Sequence, residues 1–356
     1  MAIKVGDIEL HVGPQEVGGP DDLKAAIINF IKGAKKRLDI AVQELDSREI
    51  AEAIIEARQK KRVVRLVIEG DYLTVDKAVP DSFKPGGKNE TNRFLHDAVL
   101  RTNINVKSDF NPAIFHQKFI VRDNSAVLTG STNFTDTGIS KNLNHVVIIR
   151  NRAVANAYKK EFDEIMQGRF GKRSVAADDE PREVKVSGLR VKVLFAPDHA
   201  PEMEIMKQML KAKNRIDFAV FTFAKSSGID DTMIASANRG IKVKGVLDKR
   251  QANQTWAATR PLKQGGVKLH LATNKGPGTI GPLGKLHHKL MVIDDHLVIA
   301  GSFNYTGPAN KTNDENILVI GDLDETKTTV INKGKKIGQF ARREIDRIRA
   351  QFGQAL

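Results

Sequence analysis

His-Gln-Lys-Phe-Ile-Val-Arg-Asp at positions 116–123 is answered by His-His-Lys-Leu-Met-Val-Ile-Asp at 287–294, an offset of 171 residues. After six intervening residues each aspartate is followed by Gly-Ser-x-Asn-aromatic-Thr: Gly130, Ser131, Asn133, Phe134 and Thr135, then Gly301, Ser302, Asn304, Tyr305 and Thr306. Upstream, Arg-Leu-Asp-Ile-Ala-Val (37–42) matches Arg-Ile-Asp-Phe-Ala-Val (215–220), and Val-Arg-Leu-Val-Ile-Glu (64–69) matches Val-Lys-Gly-Val-Leu-Asp (243–248). Similarity that keeps both order and spacing across half a chain marks an internal duplication.

Each copy alternates helical and extended patterns. Leu23, Ala26, Ile27, Phe30, Ile31 and Ala34 repeat with the period of one helical face behind the start signal Pro20-Asp21-Asp22. Strands are predicted at 38–42, 63–68, 103–108, 118–122 and 145–150, with partners at 216–223, 243–247, 267–272, 289–293 and 316–320. Helical stretches such as 47–61 between them give an α/β sheet covered on both faces. The polar, proline-containing stretch 171–188 reads as a linker between a first half, 1–170, and a second, 189–356.

With 356 residues, 40% apolar, the chain can bury a core in each half. Lys and Arg number 57 against 43 Asp and Glu, a net charge of +14 that suits polyanionic partners. The absence of cysteine excludes disulfides, thiolate metal sites and a cysteine nucleophile. The first residues lack a basic stretch followed by an apolar core, and no run reaches 18 apolar residues, so a cytoplasmic, unanchored protein is expected.

In an extended strand, residues two apart face the same way, so His116 shares a face with Lys118 and His287 with Lys289. Each pair sets a proton-transferring imidazole beside a fixed cation. Asp123 and Asp294 fall on the opposite parity next to turn signals and are read as holding the strand exit by hydrogen bonds. Gly130-Ser131-x-Asn133 and Gly301-Ser302-x-Asn304 end the next strand, where small and amide side chains let donors approach an oxyanion. Together these groups suit a phosphate diester: Lys118, Lys289, Asn133, Asn304, Ser131 and Ser302 would bind phosphate oxygens, one histidine would attack, and the other would protonate the leaving oxygen. A lysine at the centre of each motif argues against a divalent metal, so no metal and no cofactor are expected. His288 keeps no two-residue spacing to a lysine and is read as structural.

On these residues the chain resembles the phospholipase D superfamily, defined by His-x-Lys-x4-Asp-x6-Gly-Ser-x-Asn, which both copies match over 116–133 and 287–304. The resemblance implies two pseudo-symmetric α/β/α sandwich halves with mixed sheets, one active site at their interface, and a covalent phosphohistidine. By family analogy His116 is the nucleophile and His287 the general acid. Members often carry a downstream acid that orients a catalytic histidine; Glu315 fits that position, whereas the first copy has Asn144 there. Glu315 is therefore expected to reach across to His116.

The superfamily includes nucleases, phospholipases and phosphatidyl transferases. The net charge, basic clusters such as Lys60-Lys61-Arg62, and likeness of the second half to the compact bacterial nuclease branch favour cleavage of DNA or RNA. A phospholipid headgroup is the alternative substrate; with one Trp and three Tyr, no aromatic-rich loop for acyl chains is evident. The loops 79–92 and 273–285 are expected to flank the cleft. Because both half-sites lie in one chain, a monomer suffices for a complete site.

Overall fold

The computed structural model describes residues 1–174, 181–274, 276, 278 and 281–356. The first sheet contains β1 (Ile3–Val5), β2 (Ile8–Gly13), β3 (Arg37–Val42), β4 (Val63–Glu69), β5 (Asn105–Asp109), β6 (Lys118–Arg122), β7 (Ala126–Gly130) and β8 (Asn144–Ile149), in the spatial order β1-β2-β8-β7-β6-β3-β4-β5. The second contains β9 (Arg182–Val186), β10 (Leu189–Ala196), β11 (Arg215–Val220), β12 (Lys242–Asp248), β13 (Lys268–Ala272), β14 (Lys289–Ile293), β15 (Leu297–Gly301), β16 (Glu315–Ile320) and β17 (Gly353–Ala355), ordered β17-β13-β12-β11-β14-β15-β16-β10-β9. Stripped of their edges, the two sheets share one order, and both are mixed. β3-β4-β5 and β11-β12-β13 are parallel because helices such as Arg48–Gln59 and Ile229–Asn238 carry the chain back, whereas the tight turns that follow β6 and β14 reverse it directly. The expected pseudo-symmetric α/β architecture is therefore present.

Local chemistry explains the elements. The helix Leu23–Lys32 buries Leu23, Ala26, Ile27, Phe30 and Ile31 on one face, and the Asp22 carboxylate caps it by accepting the Ala25 N–H. The helices Arg152–Met166 and Thr328–Phe352 contribute to one core shared by both sheets. Tyr158, on the first of these, packs edge-on against Phe119 of β6 at 5.0 Å and Phe195 of β10 at 5.1 Å, so a single ring ties the two halves together.

Short parallel bridges close the seam twice. Phe115 pairs with Asp314, and Leu143 pairs with Leu286. At these bridges the His116 N–H donates to the Asp314 carbonyl (3.0 Å) and the His287 N–H to the Leu143 carbonyl (2.9 Å). Each histidine backbone is thus anchored to the other half.

Some local details differ from the sequence reading. In the stretch 171–188, Gly171–Arg173 form a 3-10 turn and Arg182–Val186 form the edge strand β9, where charged residues are tolerated; residues 175–180 lie outside the described residues. The strand expected over 216–223 ends at Val220, because Phe221 and Thr222 leave the sheet to line the cleft.

Candidate active site

The central strand of each sheet positions the motif. Val42, last residue of β3, lies opposite Lys118, first residue of β6; Val220 lies opposite Lys289 in the same way. Both motifs therefore open at the carboxyl end of a parallel strand, where an α/β sheet leaves its crevice. Lys118 Nζ donates to the His116 carbonyl (2.7 Å) and to Gln43 Oε1 (3.0 Å); Lys289 Nζ donates to the His287 carbonyl (2.8 Å). Each ammonium is thereby folded back against its own histidine.

The imidazoles are held from across the seam. His116 Nδ1 lies 2.7 Å from Glu315 Oε2, and Ser302 Oγ donates to the same oxygen at 2.6 Å. His287 Nδ1 lies 3.0 Å from Asn144 Oδ1, which also accepts from Ser131 Oγ at 2.8 Å. Glu315 and Asn144 are the first residues of β16 and β8, so the two halves exchange supports. This geometry corrects the role expected for Ser131 and Ser302. Both are fully buried, and the one hydroxyl proton of each is given to Asn144 or Glu315, which leaves no donor for a phosphate oxygen.

The motif glycines and aspartates are structural in position, whereas the two asparagines stand at the cleft walls. A Cβ on Gly130 would fall 2.3 Å from the His145 carbonyl oxygen, and one on Gly301 2.2 Å from that of Asn316, so only glycine lets β7 and β15 press this closely on β8 and β16. The Asp123 carboxylate accepts the N–H groups of Lys35, Lys36 and Arg37 at 2.7–2.9 Å. Asp294 accepts those of Lys213, Asn214 and Arg215 over the same range. Asn133 Nδ2 donates to Glu44 Oε2 (3.3 Å), and Asn304 Oδ1 accepts the Thr222 N–H (3.3 Å).

Electrostatically the histidines and lysines behave as one site. Burial holds His116 well below the usual imidazole value, reinforced by Lys118, Lys289 and Lys285. Burial does the same to His287, which also feels Lys289, Lys285, Lys118 and His116. Burial pulls Lys118 down to about 7, against the attraction of Glu315 and Glu44, and takes Lys289 well below its ordinary value. Glu315 is pushed up to about 8 by burial, opposed by Lys118 and by the Ser302 hydrogen bond. An anion bound beside these lysines would favour their charged forms.

Sequence reasoning missed several lining residues. Gln43, Glu44 and Tyr72 form one wall, with Gln43 Nε2 donating to the Tyr72 hydroxyl at 3.2 Å. The other wall holds Phe221, whose ring lies 4.9 Å from His287, and Lys285, 5.1 Å over the same ring. Their signal was available: Gln43 and Phe221 directly follow the matched segments 37–42 and 215–220, at the ends of the strands that carry the crevice. In the loop 273–285, Lys275, Pro277, Thr279 and Ile280 lie outside the described residues. Among the described residues one acidic group, Glu161, Glu164 and Asp198, is close enough to share a cation; it includes none of the motif residues.

Comparison with known proteins places this geometry in context. The family described as cardiolipin synthase, PLD-like domain, matches residues 27–166 and 205–333. A phospholipase D of Rickettsia conorii is 29% identical over 153 residues, 42% of this chain and 70% of that protein. The mitochondrial cardiolipin hydrolase of Xenopus tropicalis is 30% identical over 114 residues, 32% of this chain and half of its own length. The crystal structure of phosphatidylserine synthase from Haemophilus influenzae Rd KW20 superposes with a TM-score of 0.66 at 15% identity, covering all of this chain and 89% of that one, a likeness of fold.

Proposed function

Because the chain belongs to the family of PLD-like domains, with a match that spans both halves, we propose that it is a metal-independent phosphodiesterase that works through a phosphohistidine and cleaves phospholipid headgroups. The observation that carries the chemistry is the crossed support of His116 by Glu315 and of His287 by Asn144. Glu315 Oε2, which also accepts from Ser302, accepts the hydrogen bond of the His116 Nδ1–H and leaves the Nε2 lone pair for attack on phosphorus. His287, whose Nδ1 proton is held by Asn144 Oδ1, enters the step as the imidazolium, and as the N–P bond forms and the P–O bond breaks its Nε2 gives a proton to the leaving oxygen. Water then delivers a proton to His287 Nε2 while its oxygen attacks phosphorus, and the N–P electron pair returns to His116. Lys118 and Lys289 neutralise the equatorial oxygens, and the Asn133 and Asn304 amides donate hydrogen bonds to them.

Glu315 suits the nucleophile's side because its charge stabilises the imidazolium of the intermediate. Asn144, a neutral acceptor, leaves His287 more acidic, as an acid for the leaving group should be.

The lipid reading is supported by the named sequence relatives and by the cleft mouth. Phe83 is fully exposed and Phe110 68% exposed, and Ile114 and Trp256 are exposed on the same connections, those leaving the carboxyl ends of β4, β5 and β12. Apolar side chains set among lysines are what an anionic bilayer surface accommodates. This differs from the sequence expectation of no apolar entrance, because the side chains come from separate loops. A nuclease is the second reading, favoured by the charge of +14.

The test is an assay in EDTA with vesicles of phosphatidylcholine and of phosphatidylglycerol, alongside supercoiled DNA, single-stranded DNA and RNA. Headgroup release with intact nucleic acid is expected. Strand cleavage without lipid turnover would transfer the proposal to the nuclease reading.

A further inference from the structure

Behind the cleft the two halves are wired differently. On one side Asn316 Nδ2 donates to Gln117 Oε1 (2.6 Å), and Gln117 Nε2 reaches Glu161 (3.4 Å). At the pseudo-equivalent positions, 171 residues away in each case, stand His145 and His288. Their rings are parallel with centres 5.4 Å apart, their Nδ1 atoms are 3.1 Å apart, and both side chains are wholly buried. An amide pair in one half is thus an imidazole pair in the other.

The hydrogen bonds fix the protons. The Gly301 N–H donates to His145 Nε2 (3.1 Å), so that nitrogen is an acceptor and the His145 proton sits on Nδ1. There it faces His288 Nδ1 and, at 3.2 Å, Ser131 Oγ. His288 then accepts at Nδ1 and carries its own proton on Nε2, directed at Glu344 Oε1 3.6 Å away, a carboxylate held by Arg347. Ser131 Oγ also accepts the His145 backbone N–H (3.0 Å) and donates to Asn144, the support of His287. A hydrogen-bonded chain therefore runs from His288 through His145, Ser131 and Asn144 to His287, with the Arg347-paired Glu344 carboxylate 3.6 Å beyond His288 Nε2, outside hydrogen-bond reach.

We propose that His145 and His288 are positioning residues for His287: the neutral imidazole pair holds Ser131 and Asn144 in place, and protonation of the pair releases that hold. A second proton would set two N–H groups against each other at 3.1 Å. The charged groups facing the pair are Glu344, which favours the proton on His288, and Arg347 and Lys289, which oppose it; Lys289 opposes it on His145 as well. Burial, the largest influence on both rings, disfavours their charged forms. The inference rests on the phosphodiesterase reading for its effect on turnover, but the pair's titration does not.

The test copies the twin half: His145→Asn with His288→Gln, assayed as kcat against pH on a soluble aryl phosphodiester, beside Glu344→Gln and the wild type. At neutral pH the double variant keeps kcat within about threefold at unchanged KM, since an amide pair already does this work at Gln117 and Asn316, while His288→Ala loses about tenfold or more through a displaced His287. In acid the wild type loses log kcat with a slope near two, the double variant with a slope near one. Glu344→Gln moves the wild-type acid limb to lower pH, because the carboxylate that favours the imidazolium is gone.

Thermal unfolding against pH supplies a readout independent of turnover. A histidine whose folded form resists protons contributes stability that is complete above its unfolded value of about 6.5 and is lost as pH falls below it. The wild type should accordingly lose Tm below that pH relative to the double variant. Coincident acid limbs and coincident Tm profiles would overturn the proposal. A wild type that turns over no diester, yet shows the Tm difference, would fault the functional reading alone.

Discussion

Glu315 is the side chain by which the supports of the two motif copies differ. Its carboxylate lies 2.7 Å from His116 Nδ1, where the other half offers His287 only the neutral Asn144. Glu315→Gln keeps an acceptor but can take on no charge as the His116 imidazolium forms, so phosphoenzyme formation should slow by about 100-fold in single-turnover experiments. An unchanged rate would mean that the carboxylate serves only to pack the seam. In His287→Ala, a substrate with a good leaving group should trap label on residue 116; label on another residue in that variant would exclude His116 as the nucleophile. The lysines give a third expectation. Lys118 sits at about 7 and Lys289 is held well below its usual value, so binding a phosphate-like anion should raise both and draw protons in. Calorimetry of vanadate binding near pH 8 in buffers of different ionisation enthalpy should register that uptake; zero uptake would show both ammonium groups already charged in the empty site.

At the level of elements, the site depends on two strands beginning in the right place. Asp123 and Asp294 hold the far ends of β6 and β14 by accepting three backbone N–H groups each, in turns whose aspartates have φ values of 54° and 50°. Removing three charge-assisted bonds in Asp123→Ala should lower stability by about 2–4 kcal/mol in denaturant titration. KM per folded molecule should stay unchanged, because this carboxylate touches the turn and not the cleft. A large KM change at intact stability would place Asp123 in the binding site instead. These elements were legible in the sequence because β propensity, strand parity and turn residues agree there. Less legible were the hairpin β1-β2 and the edge strand β9, short segments whose pairing is set by the neighbouring strand more than by their own pattern.

At the scale of the whole molecule, the lipid proposal requires the cleft and the exposed apolar side chains of its loops to meet a surface together. Converting Phe110 and Trp256 to serine should cut turnover on anionic vesicles by about tenfold or more while leaving a soluble diester unaffected. Equal losses on both substrates would mean that these side chains shape the cleft rather than meet a membrane. The sequence by itself determined the duplication, the α/β class and the identities of His116, Lys118, His287 and Lys289, because repeated order and period-two parity are written in the chain directly. It also anticipated the reach of Glu315 to His116. Only the tertiary structure decided that Ser131 and Ser302 serve Asn144 and Glu315, that Glu44, Tyr72, Phe221 and Lys285 wall the cleft, and that His288 meets His145 rather than substrate. The contacts that cross the halves, His116 to Glu315, His287 to Asn144 and His145 to His288, join residues more than 100 positions apart, and the serine and wall contacts gain their role only from them; all depend on how two sheets pack, which no local pattern encodes.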